Sequence, residues 1–154
     1  MDPPKEDSPR LRTIETTGKR NGAFRTDVGV RDFEFVIDEP EKLGGTDRAP
    51  TPMEYVTGAL GGCFNVTIEM VAGEQNFRLD DIAVKCVGVV DHRGLFGTAD
   101  VSPHFQSVAV DIDISSPEPE ARRAALETVC LARCPVYNLI KDSGAAIAVN
   151  WRYR

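Results

Sequence analysis

APTPMEYVTGALGGCFNVTIEMVAGEQ, residues 49–75, has the spacing of a buried helix, yet it carries Gly58, Gly61 and Gly62 directly ahead of Cys63. The start of that helix is legible from its chemistry. Thr51 can cap the free amides, Pro52 suits the first helical position, and Glu54 stands three residues after the cap, as in a capping box. The pattern predicts a helix from about Pro52 to Ala72. Its apolar positions, Met53, Val56, Leu60, Cys63, Phe64 and Ile68 among them, cover most of the circumference, which predicts a helix in the middle of the molecule. Each interior glycine costs roughly 1 kcal/mol relative to alanine. Their clustering therefore predicts that another backbone or a substrate approaches this turn closely, with plain helix–helix packing as the alternative.

Outward from this helix, both flanks read as strands and turns. Residues 1–10 hold three prolines and five charges and predict a mobile tail, leaving 11–154 as a single domain. From Leu11 to Ile37, short apolar pieces are broken by GKRNG and DVGVRD, predicting about three strands of which DFEFVID is the last. After the helix come strand-like RLDDIAVKCVGVVDHRG, a turn-rich RGLFGTADVSP, and SVAVDIDI. Strict alternation puts Val108, Val110, Ile112 and Ile114 on one face of this last strand. Ser116 and Pro117 open a second helix, with Ala121, Ala125, Leu126 and Val129 inward. Pro135 must end it, making Cys134 the cap of a short third helix, PVYNLIKDSG. AAIAVNWRYR closes the chain as a strand. The order βββ-α-ββ-αα-β predicts an α+β fold with an antiparallel sheet and segregated helices.

Composition narrows the chemistry. Of 154 residues, 42% are hydrophobic, and 18 basic against 24 acidic side chains give a net charge of −6. No stretch gathers Lys and Arg with aromatics, which argues against nucleic acid as a partner. No unbroken apolar run approaches the ~18 residues of a bilayer span, and the first residues lack a signal-peptide core, so no membrane and a cytoplasmic location are expected. Four cysteines, at 63, 86, 130 and 134, then point to thiol chemistry instead of structural disulfides. Cys86 and Cys130 read as buried hydrophobes. Cys134, at a helix amino end, faces free amides and the positive pole of the dipole, which predicts a lowered pKa. Cys63 and Cys134 are the candidate redox pair. A zinc site from Cys130, Cys134 and His104 or His92 is the metal alternative, although the usual closely spaced ligand pairs are missing. Cys-x-x-Cys, Gly-x-Ser-x-Gly and a Walker phosphate loop are all absent, and no cofactor is implied.

PTPMEYVTGALGGC and the later RCPVYNLIKDSG resemble the osmotically inducible protein C (OsmC) and organic hydroperoxide resistance (Ohr) superfamily, on its OsmC-like branch. The resemblance runs from about residue 14 to the end of the chain. It implies an intertwined homodimer whose sheets wrap long central helices, and a cysteine peroxidase acting on organic hydroperoxides. Cys63 would be the peroxidatic thiolate, Cys134 the resolving thiol, and an external dithiol the reductant. Arg20, in TGKRNG, would stabilise the thiolate, with Arg25 and Arg31 as competitors. The family's orienting glutamate directly follows the proline, where this chain has Met53. Glu54 comes one position later, about 100° round the helix, so it is either the catalytic carboxylate or only the end of the capping box. The substrate would sit in a pocket lined by Met53, Phe64 and the facing subunit. The rival reading is a non-enzymatic protein that binds a small apolar ligand at the dimer groove.

Overall fold

A computed structural model describes residues 9–154, so nearly all of the expected 1–10 tail lies outside the described residues. The chain forms two compact units, one ending at Pro52 and one running Met53–Arg154.

The first unit is a three-stranded antiparallel sheet in the order β1 (Thr17–Arg20), β2 (Thr26–Val30) and β3 (Phe33–Ile37). Three strands were expected here, but with the turns misplaced. Most of GKRNG and DVGVRD is strand, because Thr17 pairs with Gly29 and Arg20 with Thr26, and the reversals fall at Asn21–Phe24 and Arg31–Asp32. β-Branched Thr and Val carry enough strand preference to override single glycines. After β3, the buried Asp38 carboxylate gathers the following loop, accepting hydrogen bonds from the amides of Glu39 (2.8 Å), Thr46 (3.1 Å) and Arg48 (3.1 Å) and from the Thr46 hydroxyl.

The second unit packs helices on a three-stranded sheet: α1 (Pro52–Glu74), β4 (Asp81–Val90), α2 (His92–Phe96), β5 (Phe105–Ser115), α3 (Glu120–Arg133), α4 (Pro135–Asp142) and β6 (Ala146–Tyr153). The core joins Leu60, Phe64, Ile68 and Val71 of α1, spaced as one helical stripe, to Val108, Val110, Ile112 and Ile114 of β5 and to Leu126 and Ile140 of the later helices. Alternation on β5 is as expected, and β6 alternates too, with Ile147, Val149, Trp151 and Tyr153 its more buried residues.

Several expectations need correction. β6 pairs with β5 in parallel, so this sheet is mixed rather than antiparallel, because the two-helix crossover returns the chain to the end where β5 began. A short helix, α2, occupies part of the stretch read as turns, its amino end capped by Asp91. The helix expected from Pro117 starts at Glu120. The Ser116 hydroxyl instead donates to the Arg78 carbonyl (2.6 Å), and Ala121 and Ala125 are exposed while Leu126 and Cys130 face inward. At 23 residues α1 is long and apolar enough by composition to cross a bilayer, which a search for unbroken apolar runs overlooks; one face of it belongs to the core. Its other face is open in the single chain, with Val66 66% and Met70 45% exposed.

Candidate functional site

All of the site that can be measured lies in the second unit, where α1 meets the break between α3 and α4. Pro135 has no amide proton to continue α3, and Cys134 takes an extended backbone (φ −68°, ψ 110°) between the two helices. Phe64 fixes α1 against this break. Its ring is tilted on Tyr137 of α4, with centroids 5.8 Å apart, and edge-on to Trp151 of β6 at 6.2 Å. The adjacent Cys63 thereby comes within hydrogen-bonding reach of the Cys134 thiol. Both are free thiols, Cys63 half-buried and Cys134 fully buried. The expected pair is thus brought together, by the packing of α1 on α4.

The expected charge state of Cys134 is not found. Burial is the largest influence on it and pushes the thiol up to about 11, reinforced by the neighbouring Cys63. The Tyr137 amide and the Thr67 hydroxyl act the other way, as hydrogen-bond partners that favour the thiolate, but they do not prevail. Cys134 is therefore a protonated thiol near neutrality. Cys130, one turn earlier, is also fully buried, and burial pushes it to about 12, the charge of Cys134 adding to the rise. Cys86 lies on β4, its thiol also raised by burial.

Sequence reading missed Thr67. Its hydroxyl bonds back to the Cys63 carbonyl (2.8 Å) and lies beside the Cys134 sulfur. The available signal was spacing, since position 67 is one helical turn after 63 on the same face. Phe64 was expected to line an open pocket, but it is fully buried and acts as a wedge. The glycines divide by role. A Cβ on Gly61 would stand 3.6 Å from the Cys86 sulfur and 3.8 Å from Val84, ordinary contact distances, so the packing of α1 on β4 does not require glycine here. Gly58 and Gly62 have nothing within 4 Å in the single chain, which leaves room beside Cys63.

The remaining candidates are placed as follows. Glu54 is in the first turn of α1, where a carboxylate suits the helix pole. Arg20 ends β1 in the first unit, exposed. Of its competitors, Arg25 is ion-paired with Asp27 (3.7 Å) and the Arg31 guanidinium lies over the Phe33 ring (4.9 Å), so both are engaged within their own sheet. Among the described residues, no group of three His, Cys, Asp or Glu side chains converges as a metal would need, so the expected zinc alternative finds no support.

Comparison with known proteins agrees with this architecture. The model of the OsmC-like protein family matches residues 45–150. The organic hydroperoxide resistance protein OhrB of Bacillus subtilis (strain 168) is 33% identical over 67 residues, covering 44% of this chain and 48% of that protein, about half its length. Among solved structures, an OsmC-like protein from Mycoplasma pneumoniae superposes with a TM-score of 0.76 at 14% identity, covering 93% of this chain and 96% of that one. An organic hydroperoxide resistance protein from Elizabethkingia anophelis, with crystallant-derived thiocyanate bound, superposes with a TM-score of 0.73 at 17% identity over 96% and 100% of the two chains. At such identities the superpositions speak for the fold alone, and the fold is the same. With the family model spanning well over half of its residues, the chain belongs to the OsmC-like protein family.

Proposed function

We propose that the protein is a thiol peroxidase that reduces organic hydroperoxides as part of a stress response. The observation carrying this reading is the pairing of a half-exposed Cys63 thiol with the buried Cys134 thiol within hydrogen-bonding reach. The Cys63 thiolate attacks the outer peroxide oxygen. The O–O bond breaks, the alcohol leaves with a proton, and Cys63 becomes a sulfenic acid. Cys134 then attacks that sulfur, water leaves, and a Cys63–Cys134 disulfide forms. An external dithiol reduces it, returning two thiols and leaving the reductant as a disulfide. The raised proton affinity of Cys134 leaves the first attack to Cys63, and the resolving step then requires Cys134 to give up its proton.

Open space at Gly58 and Gly62 beside Cys63 suits the organic part of a hydroperoxide. Arg20 is the proposed cation for the Cys63 thiolate and later for the departing alkoxide, by the resemblance stated above. Glu54 is carried as the carboxylate that would orient that cation. The exposed face of α1 is proposed to meet its copy in a homodimer, and a cytoplasmic location supplies dithiol reductant. The name of the Bacillus subtilis relative supports the substrate class.

The test is steady-state consumption of an organic hydroperoxide with excess dithiol. Cys63→Ser should lower turnover by more than 10³-fold, leaving the fold intact. Turnover retained in this variant would remove Cys63 from the reaction. Arg20→Ala should slow the first step by on the order of 10²-fold, in line with the loss of a single preorganised charge.

A further inference from the structure

The break that presents Cys134 leaves a carbonyl without its donor. In a continuing helix the Leu131 carbonyl would accept the amide proton of residue 135, and Pro135 has none. Ala132 is likewise among the last residues of α3, whose carbonyls have no donor inside the helix. One side chain of α4 serves both. Asn138 Nδ2 lies 3.0 Å from the Leu131 carbonyl oxygen, 3.3 Å from that of Ala132 and 2.9 Å from that of Cys134. An amide NH2 group carries two protons. Leu131 and Cys134 therefore take the two short bonds, and Ala132 shares a proton in a longer one. The other end of the amide is held as well, with Oδ1 accepting from Lys141 Nζ at 3.0 Å. Carbonyls only accept and an ammonium only donates, so these partners leave the amide a single orientation.

These bonds bracket Cys134. Its own amide donates to the Cys130 carbonyl at 2.9 Å, and its carbonyl accepts the Asn138 amide at 3.1 Å in addition to Nδ2. Asn138 thus ties the residues before the Pro135 junction to the first turn after it. The extended backbone of Cys134 (φ −68°, ψ 110°) is fixed from both sides, and with it the direction in which the thiol leaves the chain.

We propose that Asn138 is the positioning residue of the resolving thiol: its side-chain amide supplies the hydrogen bond that Pro135 cannot make and holds Cys134 with its sulfur toward Cys63. This rests on the reading of Cys63 and Cys134 as a redox pair. Asn138 acts through the Cys134 backbone, so its influence falls on the second step of the reaction. Capture of the Cys63 sulfenic acid is an intramolecular attack, whose rate drops steeply when the reacting atoms are misplaced. Oxidation of Cys63 by the peroxide does not involve Cys134 and is independent of Asn138.

The test compares the full-length wild type with Asn138→Ala and with Asn138→Asp, which keeps the shape but loses the Nδ2 donor. Each protein is equilibrated with reduced and oxidised glutathione well below its melting temperature, alkylated and digested with trypsin, and the Cys63–Cys134 link is quantified by mass. Both variants should lower the equilibrium constant for the link by roughly tenfold or more, the weight of one lost hydrogen bond. After addition of an organic hydroperoxide, stopped-flow should show disulfide formation slowed by a similar factor and sulfenic acid formation unchanged. A third measurement asks whether the side chain replaces the missing amide. Pro135→Ala returns a donor to the Leu131 carbonyl, so Asn138→Ala should lower the melting temperature less in that background than in the wild type. A link equilibrium unchanged in both variants, equal slowing of the two steps, or equal losses of melting temperature in the two backgrounds would each overturn the proposal. A wild type that never forms the link would defeat the redox pair and this proposal with it. A link that forms in the wild type and weakens in the variants, without consumption of hydroperoxide, would leave Asn138 in its role and defeat the peroxidase reading alone.

Discussion

At the scale of single residues, the site is a contest over one proton. Cys134 sits where a helix pole, an amide and a hydroxyl all favour a thiolate, and burial still outweighs them. Thr67 supplies part of the opposing pull and can be removed without changing shape. A hydrogen bond to a charged group contributes about 1.5 kcal/mol or more, and 1.36 kcal/mol is one pKa unit. Thr67→Val is therefore expected to raise the Cys134 pKa further and slow disulfide formation about tenfold, with little change in the first step. Stopped-flow separation of sulfenic acid formation from resolution checks this. An equal slowing of both steps would mean that Thr67 acts on Cys63 instead.

At the scale of elements, the discontinuity between α3 and α4 decides the geometry. Pro135→Ala restores an amide proton and removes the steric bias on Cys134, so α3 and α4 are expected to join through it. The thiol then turns away from Cys63, and disulfide formation slows by on the order of 10²-fold, as small misplacements of reacting groups do. Helix content by circular dichroism should hold or rise while the rate falls; an unchanged rate would show that the break is dispensable. This scale was also the most legible in the sequence. The helix start at Pro52, the break at Pro135, the end of α4 near Gly144 and the alternation of β5 and β6 all follow from proline, glycine and apolar periodicity. What could not be read were quantities set by packing between distant segments: the parallel pairing of β6, the proton affinity of Cys134, and the wedge made by Phe64, Tyr137 and Trp151. The two candidate cysteines could be named from local signals, but their closeness depends on how α1 docks on α4.

At the scale of the whole molecule, each unit has its own control. In the first, hydrogen bonds from Thr46 and neighbouring amides hold the Asp38 carboxyl well below the usual carboxylate range. A folded pKa below the unfolded one contributes stability above the unfolded pKa of about 3.9, and this is lost as pH falls toward the folded value. The melting temperature of Asp38→Asn should therefore lie below that of the wild type at pH 7, and the gap should narrow as pH drops from 5 to 2. A gap independent of pH would assign Asp38 a purely steric role. In the second unit, the proposed homodimer would cover the apolar face of α1. Light scattering should give twice the chain mass of 16.9 kDa, and Val66→Asp, whose parent side chain is 66% exposed in the single chain, should shift this to the monomer. Dimer persisting in that variant would place the interface elsewhere.

The central claim is that Cys63, once oxidised by a peroxide, is captured by Cys134. Its most direct measurement is non-reducing peptide mapping within seconds of adding one equivalent of an organic hydroperoxide. The account predicts that the peptide of residues 49–78 is recovered joined to that of residues 134–141, two mass units below the sum of the free thiols. Cys63 recovered unlinked while Cys134 remains fully alkylatable would contradict it.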